Sequence, residues 1–294
     1  MKQHFFLCML TIYLCQCCSP TNDQRSFLTE KIPADNPLTF KADLIPDGKL
    51  IHKGSFSPDL TEYYYTVSDK SYKRFDTYVI RKQEERWSDP KTAFFNSDYS
   101  EHGLSFSPDG NTIYFSSTRP VESYIPDTWH LWKSVNKGGQ WSKPAYIDIP
   151  NLRDKLISHP TISNQGTLYF HASNLDYSEM DLYQCKLVDG NFGTAQKVVL
   201  DIEAPYGKCT PYIAADESFL LFATVGDQLD LQISYNDGQG NWSIPKKLNE
   251  EINHSGQGNP YVTPDHQFLF FTTGTNSEKW QVKWVNFLDE TTPK

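Results

Sequence analysis

The sequence predicts an all-β fold, a five-bladed β-propeller of four-stranded antiparallel blades closed by an N-terminal outer strand. Three features carry the prediction. The first is a turn-and-strand phrase, Phe56-Ser-Pro-Asp59 before Glu62-Tyr-Tyr-Tyr-Thr66, which returns as Phe106-Ser-Pro-Asp109 before Ile113-Tyr-Phe-Ser-Ser117. It occurs again as Ile162-Ser-Asn-Gln165 before Leu168-Tyr-Phe-His171, Ile213-Ala-Ala-Asp216 before Phe219-Leu-Leu-Phe-Ala223, and Val262-Thr-Pro-Asp265 before Phe268-Leu-Phe-Phe-Thr272. The turn position falls at 59, 109, 165, 216 and 265, and a strand-only period of roughly 40–50 residues marks propeller blades. The second feature is composition: aromatics make up 14% of the chain while Ala and Leu are sparse, which suits strands. The third is a count of strands. The last repeat ends at Trp284-Val-Asn-Phe287 without an outer strand, and Pro37-Leu-Thr-Phe-Lys-Ala-Asp-Leu44 is similar to the outer strand at Pro144 to Ile149. An N-terminal strand added to the last blade closes the ring and removes its open edges. A sixth, diverged blade is the lesser alternative.

Residues 1–18 read as a secretory leader, with Lys2 as the positive region and Phe5 to Leu14 as a short apolar core. Its end, Leu14-Cys-Gln-Cys-Cys18-Ser, resembles a degenerate bacterial lipoprotein cleavage box. The resemblance implies lipid on Cys17 or Cys18, although Gln16 stands where a small residue is usual; plain secretion is the alternative. No apolar run of about eighteen residues, the length a spanning helix needs, follows the leader, so membrane attachment is expected through lipid alone. Residues 19–36 are polar and aperiodic and read as a flexible tether; residues 37–294 form the propeller domain, expected to be monomeric. The net charge of −9 argues against nucleic acid as a partner. Cys185 and Cys209 remain in the folded part and are expected to be free thiols rather than a disulfide. No cofactor is expected.

Within each blade an inner strand leads to the repeated turn, then come the aromatic second strand and a third strand opening near Asp76, Asp181 or Asp230. An outer strand follows Trp-Ser-x-Pro at Trp87, Trp141 and Trp242, with Phe192 as the degenerate copy. Proline cannot donate to a ladder and belongs on an edge strand. These residues resemble the WD40-like propeller repeats of TolB-like and OmpA-associated bacterial envelope proteins. The resemblance rests on Gly240-Asn-Trp-Ser-Ile-Pro245, Asn253, Asn259-Pro-Tyr-Val-Thr-Pro-Asp265 and Ser116-Ser-Thr-Arg119. Gln165 and Lys279-Trp-Gln281 depart from that pattern. The resemblance implies the fold and an envelope location; a propeller does not by itself imply a function.

A residue present once per blade is structural, because a site needs its groups once. That assigns Asp59, Asp109, Asp216 and Asp265 to turn capping. Functional candidates are the unequal residues near the start of the inner strands: His52-Lys53, His102-Gly103, Ser158-His159, Cys209-Thr210 and Gly258-Asn259. His52, His102 and His159 are expected to converge on one rim with Glu101, Lys208, Asn259 and Arg119 beside them. Converging imidazoles can share a cation, but no carboxylate pair completes such a site, so neither a metal nor a catalytic residue is assigned. Rim loops add Tyr72, Tyr124, Trp129 and Tyr206, an aromatic funnel suited to a glycan or peptide. The segment Ser234 to Trp242 is similar to a sialidase Asp-box but has the wrong spacing and reads as a hairpin turn. The expected function is a non-catalytic, lipid-anchored protein of the bacterial envelope, in the periplasm or at the cell surface on the outer membrane, whose propeller face binds a partner protein or glycan. The alternative is a glycan-active enzyme, a glycoside hydrolase or polysaccharide lyase, working in the central funnel.

Overall fold

The structure, a computed structural model, describes residues 26–287 apart from 35, 47, 85, 122–124 and 275–279. The leader with Cys17 and Cys18, and Tyr124 of the expected rim, lie outside the described residues. The chain divides into residues 1–32 and 33–294. In the first unit Ser26–Phe27 and Glu30–Lys31 pair as an antiparallel hairpin. Its two linking residues, Leu28 and Thr29, both have positive φ (54° and 67°), as a type I′ turn requires. This hairpin lies within residues 19–36, the segment that the sequence reads as a flexible tether.

The second unit is a five-bladed antiparallel propeller. The inner strands are Lys49–Phe56, Glu101–Phe106, Leu156–Ile162, Lys208–Ile213 and Gln257–Val262. Each packs on the next, and the last packs on the first. Behind them lie the second strands Glu62–Asp69, Thr112–Ser117, Thr167–Ser173, Phe219–Val225 and Phe268–Thr273. These are buried on both faces, which is why they read as continuous apolar runs rather than alternating ones. The third strands are Phe75–Gln83, His130–Lys137, Asp181–Val188, Leu229–Tyr235 and Gln281–Asn286.

Outer strands in the first three blades are broken in two, as Arg86–Trp87 with Lys91–Thr92 shows. Pro90 and Pro144 have no N–H for the ladder at the break. The Ser88 and Ser142 hydroxyls instead accept from the Arg81 and Val135 amides, each at 3.0 Å. In blade five the outer strand is Leu38–Thr39, paired with Lys283 and Trp284, so the termini close the ring as the strand count required. Phe40 N donates to Val282 O at 2.9 Å. The Phe40 ring meets Phe56, Tyr63, Phe270 and Trp284 edge-on at 5.8, 5.1, 5.2 and 6.0 Å.

The repeated aspartates cap their turns. Asp59 accepts from Ser57 Oγ (2.6 Å) and Thr61 N (3.1 Å), and Asp109 and Asp265 repeat the arrangement. In blade three, where Gln165 replaces the aspartate, Ser163 Oγ donates to Glu217 of the next blade at 2.6 Å. Cys185 and Cys209 are free and buried.

Every inner strand carries a bulge, at one level in blades two to five and one residue earlier in blade one. Its register breaks between Ile51 and Gly54, His102 and Ser105, Ser158 and Thr161, Cys209 and Tyr212, and Gly258 and Tyr261. Counted from the pairs Phe56↔Tyr63, Phe106↔Ile113 and Ile162↔Leu168, His52 is the equivalent of His102 and Ser158, and Lys53 is the equivalent of Gly103 and His159.

Candidate functional site

Bulges re-aim side chains, and this ring of five places unequal residues where the inner strands begin, at the upper mouth of the channel. Gly103, His159, Thr210 and Asn259 take positive φ there (66°, 55°, 46° and 55°), a conformation a β-branched residue such as Thr210 adopts only under constraint. The constraint comes from the preceding blade. His159 N donates to Ser116 Oγ (3.0 Å), Thr210 N to His171 Nδ1 (3.4 Å) and Asn259 N to Thr210 Oγ1 (3.3 Å). Thr272 occupies the register position of Ser116 and His171. Blade one presents no left-handed residue to it, and Thr272 Oγ1 has no partner.

The structure brings His102 and His159 together, their rings 4.4 Å apart, and adds His171 at 5.0 Å from His159. Ser158 Oγ joins them, hydrogen-bonded to His102 Nε2 (2.8 Å), His159 Nδ1 (3.1 Å) and Ser116 Oγ (3.1 Å). His52 stands apart, bonded to Ser68 Oγ at 2.7 Å, with Phe75 between it and His102 (5.0 and 5.4 Å). Trp280 on one side (4.7 Å from His52) and Trp129 on the other (4.0 Å from His102) extend these rings into a belt across blades five, one and two. Tyr72 lies exposed above the belt, 6.2 Å from His52.

Burial governs the ionisation here. It lowers His52 to about 4 and His171 to about 3, the latter helped by the charge of Lys53. Burial, reinforced by neighbouring imidazoles and Lys53, holds His102 and His159 well below the ordinary histidine value. Lys53 is only 4% exposed, and burial brings it down to about 8. Among the described residues no group of three or more His, Cys, Asp or Glu side chains is arranged to hold a metal ion.

Other expected rim residues are occupied elsewhere. Glu101 is 0% exposed; it accepts from Ser97 Oγ (2.6 Å) and Ser117 Oγ (3.1 Å) and pairs with Arg119 at 3.2 Å. Arg119 also donates to Phe95 O and lies 5.4 Å over both the Phe115 and Trp132 rings. The pair is a latch inside blade two and not part of the rim. Lys208 is bound to Asp181 of blade three at 2.9 Å. Tyr206 is 64% exposed, with no ring contact among the described residues. Asn259 does sit at the bulge, and its Oδ1 has no partner.

Sequence reasoning named Lys53 among the inner-strand candidates and left Phe75, His171 and Trp280 out of the site. A usable signal existed for Trp280: the same register position at the start of the third strand is Phe75 in blade one, Trp129 in two, Met180 in three, Leu229 in four and Trp280 in five. At the lower mouth, where the inner strands end, a cavity of about 260 Å³ is lined by Phe56, Phe106, Ile162, Tyr212, Tyr261 and repeated turn residues. Its lining recurs blade by blade, which marks it as part of the scaffold.

No family model and no curated protein matches the chain. Solved structures similar to it include a thermostable family-43 glycoside hydrolase, at 13% identity and a TM-score of 0.53, covering 82% of this chain and 90% of that one. TolB from Acinetobacter baumannii aligns at 12% identity and a TM-score of 0.48 over 82% of this chain and 55% of that one. A putative TolB from Agrobacterium tumefaciens aligns at 14% and 0.49 over 81% and 77%. This chain thus spans little more than half the length of the Acinetobacter protein. At such identity the likeness to the hydrolase shows the propeller fold alone.

Proposed function

We propose that this chain is a non-catalytic binding protein of the bacterial envelope, anchored by lipid on Cys17 or Cys18, that takes a glycan in the upper mouth of its propeller. One observation carries the reading: the belt Trp280–His52–Phe75–His102–Trp129 offers flat apolar faces around a floor of hydroxyls and imidazoles. Few apolar walls and a few fixed polar groups are what a sugar-sized ligand site needs. A glycosidase needs two usable carboxylates, whereas Glu101 and Asp76, the acids adjacent in sequence to His102 and Phe75, are paired with Arg119 and Arg74. That favours binding over hydrolysis.

The test is a glycan array with the full chain, followed by titration of any hit. Trp129→Ala and Trp280→Ala should each weaken binding by about tenfold, the loss of roughly 1.4 kcal/mol of ring contact. Unchanged affinity in both variants, or turnover of the bound glycan, refutes the reading. A partner protein captured in place of any glycan would also overturn it. Incorporation of labelled lipid, followed with Cys17 and Cys18 replaced singly, decides the anchor.

A further inference from the structure

Lys53 is a charged group in the upper mouth whose chemistry the aromatic belt leaves unused. It lies on the bulge of blade one, 4% exposed, and among the described residues it has neither an ion-pair partner nor a hydrogen bond. An ammonium is costly to bury unless paired, and Lys53 Nζ is not among the fully buried unpartnered polar atoms, so the side chain is buried while its charged end keeps contact with the channel. Its neighbours supply no counter-charge. The groups that feel its charge are His102 on blade two and His159 and His171 on blade three; no carboxylate is among them. Glu101 and Asp181, acids on blades two and three beside the histidines, are held by Arg119 and Lys208.

We propose that Lys53, with His102, His159 and His171 around Ser158, forms a seat for an oxyanion (a carboxylate, sulfate or phosphate group) at the base of the upper mouth. This deepens the glycan reading of the same mouth by assigning its ligand an acidic group. His102, the partly exposed member of the cluster, gives the seat its opening. The hydrogen bonds also set how the seat works. Ser158 has one proton and three partners, so at least one of His102 and His159 must point an N–H at it. In a neutral ring the other nitrogen is then a bare acceptor, which repels an anion. An arriving oxyanion reverses the local field set by Lys53, the bare nitrogen takes a proton from solvent, and the new N–H donates to the anion. Anion binding is thereby coupled to proton uptake.

The experiment is calorimetric titration of the full chain with sodium sulfate, at pH 6 and pH 8, in buffers of different ionisation enthalpy. Sodium chloride at matched ionic strength is the control. Expected are one saturable site of roughly millimolar Kd, proton uptake, and affinity at least about tenfold higher at pH 6. Lys53→Met, close in volume and uncharged, should abolish binding and raise Tm, while Lys53→Arg retains binding. No saturable sulfate binding by the wild type, binding without proton uptake, or binding unchanged in Lys53→Met overturns the seat. The proton count needs no variant, so it decides even if Lys53→Met does not fold. Oligogalacturonate against its methyl ester then separates a glycan-borne acid from a free anion. Sulfate binding with a blank glycan array would sink the glycan reading and leave the seat. Glycan binding indifferent to Lys53→Met would do the reverse.

Discussion

Truncation of Phe40 to Ala should open the propeller. Phe40 is 2% exposed on a segment whose backbone supplies the last strand of blade five, and its ring touches four others from blades one and five. Replacing a buried Phe by Ala costs about 3–5 kcal/mol, and a site walled by four rigid aromatic rings collapses poorly, so we expect about 4 kcal/mol. Against a total stability of about 5–15 kcal/mol this is a large share. For a domain of this size it corresponds to a fall in Tm of about 8–16 °C. Urea unfolding followed by tryptophan fluorescence reports it, because Trp284 is 6.0 Å from the lost ring. Leu38→Ala, on the same strand but 37% exposed, is the control and should cost less than about 1 kcal/mol. A loss below about 1 kcal/mol at Phe40, or equal losses at both positions, would show that the N-terminal strand does not hold the ring.

Stability should fall as pH drops from about 6.5 towards 4. His52 and His171 are held at about 4 and about 3 when folded, so in that window the unfolded chain binds more protons. A urea midpoint that is flat across the window would contradict this, and His171→Phe should reduce the slope. Glu101→Gln should cost about 3 kcal/mol, because it strands the Arg119 charge inside blade two. It should leave any surviving glycan affinity unchanged; the opposite pattern would return Glu101 to the ligand site. Burial pushes both Cys185 and Cys209 up to about 12, so peptide mapping after alkylation at pH 8 should find them unmodified until the chain unfolds. Labelling of either in the native state would show that its blade opens.

The scaffold was legible because its signals are local and repeated. The turn aspartates, the Trp-Ser-x-Pro breaks and the surplus strand at Leu38–Thr39 each state their role within a few residues, and the structure finds them bonded accordingly. The site was legible only in outline. His102 and His159 do meet, and Trp129 does wall the mouth. Glu101 and Arg119 looked equally suited to a rim, yet they lie close enough to satisfy each other and are consumed inside the blade.

What the sequence determined alone, then, is the repeat: five blades, their turns and the strand that closes them, since period and turn chemistry depend on neighbours along the chain. What only the tertiary structure decided is which unequal residues share the upper mouth. That depends on the bulges between Ile51 and Gly54 and in the other four blades. A bulge turns a side chain by one residue of register, and packing between blades, not local preference, sets where it falls. Lys53 shows the consequence: in the sequence it is one of several candidates at the strand starts, and in the ring it is a lysine 4% exposed whose charge acts on His102, His159 and His171.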